Sequence, residues 1–132
     1  MKAFVVELDN RPGQLARIAE AIGAKGINIT AGSGLAWGSK GAFGFLTNDE
    51  AGTLRTLRDL QCSYREVDVV PASVADEPGA LGKVAQRLAT AGVNIELVLA
   101  TGSADGKIAL AIGVDHVEAA RAALGEKATA TV

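Results

Sequence analysis

The chain repeats itself once, and the step of the repeat is half the chain. Asn10-Arg11-Pro12-Gly13-Gln14-Leu15 lines up with Asp76-Glu77-Pro78-Gly79-Ala80-Leu81, a step of 66 residues in a sequence of 132. Gly26-Ile27-Asn28-Ile29 lines up with Gly92-Val93-Asn94-Ile95 at the same step. Between these motifs Leu15, Ile18, Ala19 and Ile22 match Leu81, Val84, Ala85 and Leu88 without a gap. A repeat of this kind restricts the chain to two like supersecondary units rather than one large domain.

Each unit reads the same way. Phe4, Val6 and Leu8 alternate with Val5, Glu7 and Asp9, the period of a strand. Proline and glycine follow, with the proline suited to the first turn of a helix. Positions 15, 18, 19 and 22 then form one apolar helical face. Gly26 and Gly92 stand where a left-handed helix cap falls. Second strands begin at Ile27 and Val93. Polar turns at Gly38–Gly41 and Ala104–Gly106 lead into third strands, 42–47 and 107–114. Second helices follow, capped by Asn48 or Asp49 and by Asp115. Their buried faces are Leu54 and Leu57, and Val117, Ala120 and Leu124. Tyr64–Val70 and Ala128–Val132 are the fourth strands, and Pro71 marks a bend or break between the copies.

The expected class is α+β: two ferredoxin-like βαββαβ units in tandem, residues 1–67 and 68–132, each an antiparallel sheet with helices on one face. A unit of about 60 residues buries only about 60% of its unfolded surface and is marginal alone. It also leaves sheet edges uncovered. Packing against a like unit, and dimerisation, are therefore expected.

Composition excludes several functions. The net charge is −2 and aromatic residues make up 4% of the chain, so neither a phosphate-binding basic patch nor a base-stacking platform is expected. No apolar run reaches the roughly 18–20 residues that cross a bilayer, and the N-terminus lacks a secretory apolar stretch. The single cysteine cannot form an internal disulfide, which fits a cytoplasmic location.

Enzyme chemistry is equally sparse. One cysteine and one histidine, Cys62 and His116, cannot build a Cys/His metal site. Cys62 reads as a packing residue and His116 as an exposed first-turn residue. Gly32–Gly41 lacks a phosphate-loop spacing and reads as a hairpin loop, or as a ligand lid in which Trp37 lines a pocket. An acylphosphatase on this fold needs arginine and asparagine in one unit, yet Glu77 replaces Arg11 in the second copy. No catalytic residue, metal or cofactor is expected.

The doubled Pro-Gly loop stands apart. The N–H groups after Pro12-Gly13 and Pro78-Gly79 open a helix, and such an opening suits a carboxylate. Asn28 and Asn94 each offer an amide. A purely structural reading stands beside this one: proline and glycine start the helix, and asparagine closes a turn.

At these residues the sequence resembles the ACT domain family, whose signature is a D-x-P-G-like loop followed by G-x-N-I. The resemblance covers essentially the whole chain as a stand-alone tandem pair, with Asn10 in place of the acidic residue in copy one. It implies regulatory amino-acid binding in allosteric control of amino-acid metabolism, and side-by-side packing into an eight-stranded sheet. It also implies ligand between the Pro-Gly loop of one unit and the asparagine region of a neighbour, within the chain or across a homodimer. The ligand-binding residues it implies are Asn10, Arg11, Pro12, Gly13, Gln14, Leu15, Asn28 and Ile29 in copy one. Those in copy two are Asp76, Pro78, Gly79, Ala80, Leu81, Asn94 and Ile95. The inequality of Arg11 and Glu77 points to two sites of different affinity or to only one working site. An alternative expectation is a ligand-independent module docking on an enzyme or regulator of amino-acid metabolism.

Overall fold

The computed structural model of the chain describes residues 1–130. The described residues hold six strands and four helices: β1 Lys2–Asp9, α1 Gln14–Ala24, β2 Ile29–Trp37, β3 Lys40–Thr47, α2 Glu50–Asp59, β4 Tyr64–Ala75, α3 Ala80–Thr90, β5 Ile95–Ala104, β6 Lys107–Val114 and α4 Val117–Ala130. The fold is α+β, with antiparallel pairing of β1 and β2 to β3 and of β4 and β5 to β6. Two compact units divide the chain, Lys2–Glu66 and Met1 with Val67–Val132.

In the first unit β3 lies between β2 and β1. Phe4 and Val6 of β1 and Phe43 and Phe45 of β3 share one face, packed with Ile18 and Ile22 of α1 and Leu57 of α2. Phe43 and Phe45 stack with centroids 4.9 Å apart. Val5, Glu7 and Asp9 point to the opposite face, as strand alternation requires. The second unit repeats the plan with β6 between β5 and β4, around an aliphatic core of Val70, Leu88, Leu110, Ile112 and Leu124.

The helix ends follow their glycines. Gly26 has φ 74° and Gly92 φ 73°. Gly26 N–H donates to Gly23 O and Ile27 N–H to Ile22 O, and Gly92 and Val93 repeat this pair on Ala89 and Leu88. These are the two bonds of a Schellman cap.

Several expectations are corrected. Among the described residues, eight strands become six. Tyr64–Ala75 is one strand with Pro71 inside it, opposite Ala111 of β6, so proline does not break it. The expected strand at Ala128–Val132 is helical as far as Ala130, beyond a non-helical Gly125, and Thr131 and Val132 lie outside the described residues. Gly32–Trp37 is strand rather than loop, and only Gly38 and Ser39 form the turn. The reason is steric: a Cβ on Gly32 would lie 2.8 Å from the Phe43 ring, so this glycine makes room for a core aromatic. Asp49 caps α2 by accepting from Gly52 N–H, whereas Asp115 is one residue too early to cap α4. Leu15 and Leu81, on the apolar face of their helices and among the implied ligand-binding residues, are 46% and 51% exposed.

Candidate functional site

The two Pro-Gly loops are β-turns built by their residue types. Gly13 has φ 89° and ψ −9°, and Gly79 has φ 85° and ψ −8°. With proline before glycine, this is the third position of a type II turn, where L side chains are strained. In copy two Ala80 N–H closes the turn on Glu77 O at 3.3 Å. Pro12 and Pro78 therefore precede the helix rather than occupying its first turn, and glycine is the N-cap. Neither α1 nor α3 has a side-chain cap or an acidic residue in its first turn. By contrast α2 has both Asp49 and Glu50, and α4 has Glu118. The ladder of α1 starts with Arg17 N–H on Gly13 O, and that of α3 with Lys83 N–H on Gly79 O. The N–H groups of residues 15, 16, 81 and 82 precede the ladder and carry the positive end of the helix dipole.

Asn10 and Asp76 fasten these loops to the nearby hairpin. Asn10 N–H donates to Ser39 O and its Nδ2 to Gly38 O, both at 2.9 Å. Asp76 N–H donates to Gly106 O at 2.8 Å. In the first unit a cavity of about 320 Å³ gathers Asn10, Arg11, Gln14 and Leu15 against Gly34, Leu35 and Ala36 of β2. These β2 residues were reached from sequence only through the alternative of a ligand lid over Gly32–Gly41, because a contact about 20 residues away leaves no local signal. The exposed Leu15 and Leu81 occupy the same position in both copies, an apolar contact left open beside each loop.

Asn28 and Asn94 stand elsewhere. They lie at the C-terminal ends of α1 and α3, whose 11 residues set them roughly 16 Å of helix from their own loops. Within a unit, then, loop and asparagine do not converge. The backbone of each asparagine is engaged. Asn28 N–H donates to Asn48 Oδ1 at 2.9 Å and Asn48 N–H returns to Asn28 O at 3.1 Å. Asn94 N–H donates to Asp115 Oδ1 at 2.9 Å and Asp115 N–H returns to Asn94 O at 3.3 Å. Both asparagines are exposed, and Ile29 and Ile95 are half-buried at the strand starts.

Charge near the first loop centres on Asp9. Lys40 Nζ lies 2.8 Å from Asp9 Oδ1 and 4.0 Å from Glu7 Oε1, and Arg11 lies 3.9 Å from Asp9. The Lys40 hydrogen bond holds the Asp9 carboxyl below its ordinary range, and Asp9 raises Lys40 in turn. Burial pushes the Cys62 thiol up, and its Sγ lies 3.5 Å from Leu57 O beside the core. His116 is exposed, with Nδ1 3.0 Å from Asp115 Oδ1. Trp37 is 86% exposed and does line a cavity, on the sheet face away from the helices. Among the described residues no helix is long and apolar enough to cross a membrane, and no group of three His, Cys, Asp or Glu could hold a metal ion.

The chain is a two-unit α+β protein with a Pro-Gly loop before the first helix of each unit. No protein-family model and no curated protein matches the sequence. Among solved structures, protein BT0572 from Bacteroides thetaiotaomicron is similar, with TM-score 0.77 and 25% identity over 96% of this chain and 87% of that one. The regulatory subunit of aspartate kinase from Thermus thermophilus, in a ligand-free form, gives TM-score 0.65 and 20% identity over 93% and 86%. Its counterpart from Thermus flavus gives 0.64 and 20% over 93% and 88%. At the identities of the two kinase subunits the likeness is one of fold.

Proposed function

We propose that this chain is a non-enzymatic regulatory protein of two ACT-like domains, 1–67 and 68–132, that binds an amino acid at its Pro-Gly loops. One observation carries the reading. In both copies the helix after the Pro-Gly turn begins without a side-chain cap or acid, while the other helix of each unit has acid at its start. A carboxylate placed on the N–H groups after Gly13 or Gly79 supplies the missing partner. Arg11 favours the negative charge in copy one, and Asp76 and Glu77 favour an ammonium in copy two. The two sites then differ in affinity. The likeness in fold to aspartate kinase regulatory subunits supports a regulatory role in amino-acid metabolism. A homodimer acting in the cytoplasm on a separate enzyme or regulator completes the proposal, with Asn28 and Asn94 reaching the loop of a neighbouring unit.

A thermal-shift panel of the natural amino acids tests it. A ligand at 100 times Kd adds about 2.7 kcal/mol of stability. The expected result is a concentration-dependent rise in Tm with a small subset of amino acids, reduced by Arg11→Ala. No rise with any of them at high millimolar concentration overturns the reading.

The exposed Leu15 and Leu81 favour a second reading, a docking module that needs no ligand. Capture of a partner enzyme, undiminished by Asn28→Ala with Asn94→Ala and weakened by Leu15→Ser with Leu81→Ser, supports it.

A further inference from the structure

The first unit carries an aromatic-walled groove on the sheet face opposite its helices. Its volume is about 440 Å³, within the range of small-ligand sites. Leu35, Ala42 and Glu7 form one rank across the strands, because Leu35 pairs with Ala42 and Ala42 with Glu7. Trp37 pairs with Lys40 in the next rank. The apolar walls are open to water: Trp37 is 86% exposed and Leu35 73%.

The second unit serves as an internal control. Its corresponding groove, about 660 Å³, has Ser73, Gly102, Ala104, Lys107 and Ala109 where the first has Glu7, Leu35, Trp37, Lys40 and Ala42. The same strands fold with the walls removed, so the indole and the leucine are not required by the scaffold. Only the lysine and the alanine recur.

The groups of the first groove have a definite chemistry. An indole face stacks on a planar ring. Lys40 is pinned by Asp9 at 2.8 Å, which fixes its position and leaves donors over, since an ammonium has three. Glu7, 4.0 Å from that ammonium, presents the opposite charge at the same rim. We infer that this groove binds a small aromatic zwitterion, with its ring against Trp37 and Leu35, its ammonium toward Glu7 and its carboxylate toward Lys40. An aromatic amino acid has this chemistry. The groove differs from the loop site in its Trp37, Glu7 and Lys40, while Leu35 borders both.

The chain's single tryptophan is in the groove and reports occupancy directly. The experiment is titration of the full chain with L-phenylalanine, followed by Trp37 emission excited beyond phenylalanine absorption, with L-alanine as control. The expected result is a saturable change with L-phenylalanine and none with L-alanine. Glu7→Gln should raise Kd at least about tenfold, the loss of one charged contact, and Trp37→Ala should abolish binding at this site by calorimetry. Gly13→Ala should leave the emission change intact, which separates this site from the loop site. No emission change at about 10 mM, ten times a millimolar Kd, overturns the inference. So does a change that Glu7→Gln leaves untouched. A self-association seen by sedimentation, lost in Trp37→Ala and unaffected by L-phenylalanine, assigns the groove to a second copy of the chain and equally overturns it.

Discussion

The backbone of Asn28 and the side chain of Asn48 form a clasp, with Asn28 N–H on Asn48 Oδ1 at 2.9 Å and Asn48 N–H back on Asn28 O at 3.1 Å. It ties the start of β2 to the turn before α2. The second unit builds the same clasp from Asn94 and Asp115. The acceptor is neutral in one copy and a carboxylate in the other, so the two units should respond differently to acid.

The Asn94 N–H does most to hold Asp115 below its ordinary carboxylate value of 3.8. A folded-state pKa below the unfolded one means stability that is complete above the unfolded value and is lost as pH falls through the folded one. The Asp115 clasp should therefore weaken below about pH 4. Asp115→Asn, which copies Asn48, should keep the clasp and flatten that part of the acid limb. Thermal melts of both proteins between neutral and acid pH check this. An unchanged acid limb in Asp115→Asn would count against it.

Asn48→Ala leaves the Asn28 N–H without its acceptor and should destabilise the first unit by about 1 kcal/mol. Urea denaturation measures it. Asn48→Asp should restore stability near neutral pH and bring in the acid sensitivity of the second unit.

Gly32 and Gly34 separate a packing requirement from a tolerated small residue. A Cβ at position 32 meets the Phe43 ring at 2.8 Å, whereas at position 34 its nearest contacts are 3.9 Å away. Gly32→Ala should cost about 1–3 kcal/mol, the range for overpacking a core. Gly34→Ala should cost far less. Gly32→Ala with Phe43→Leu should recover part of the loss by freeing the ring's volume. Denaturant midpoints of the three variants decide the matter.

What could be read from sequence was what has a local cause. Gly26 and Gly92 announced helix ends because a left-handed cap has its own residue signature. The Pro-Gly loops announced two uncapped helix starts. Gly32 misled because its reason is a ring on another strand, and isolated glycines usually mark turns. Asp115 misled because two adjacent polar residues compete for one cap, and β5 decides between them. An irregularity between Ala100 and Gly102 moves the copies' offset from 66 at Asn28 and Asn94 to 67 at Asn48 and Asp115. Asp115 therefore answers to Asn48, not Asp49. Around the first loop, the Pro-Gly turn was legible as a local motif, whereas Gly34–Ala36 entered only through the alternative of a ligand lid over Gly32–Gly41. Nor could local pattern place Asn28 and Asn94 at the far end of their helices from their own loops.

Arg87 supplies a last test, at the break in α4. Its Nη2 donates to Ala123 O at 2.8 Å and to Leu124 O at 3.1 Å, just before Gly125 leaves the helix with φ 76°. These carbonyls sit where a helix ends and loses its intrahelical donors, so the guanidinium satisfies them and also opposes the negative end of the dipole. The same side chain joins α3 to α4, which together cover the core at Leu88 and Leu124. Arg87→Ala should lower stability by about 1–2 kcal/mol, less than the full value of two charged hydrogen bonds because Arg87 itself is exposed to water. Arg87→Lys should recover only part of it, since one ammonium cannot reproduce a planar fork on two carbonyls. Hydrogen exchange should show the loss in α4 and the C-terminal turn of α3 while α1 and α2 keep their protection. Equal loss in α1 and α2 would mean that the contact stabilises the chain as a whole rather than this helix pair.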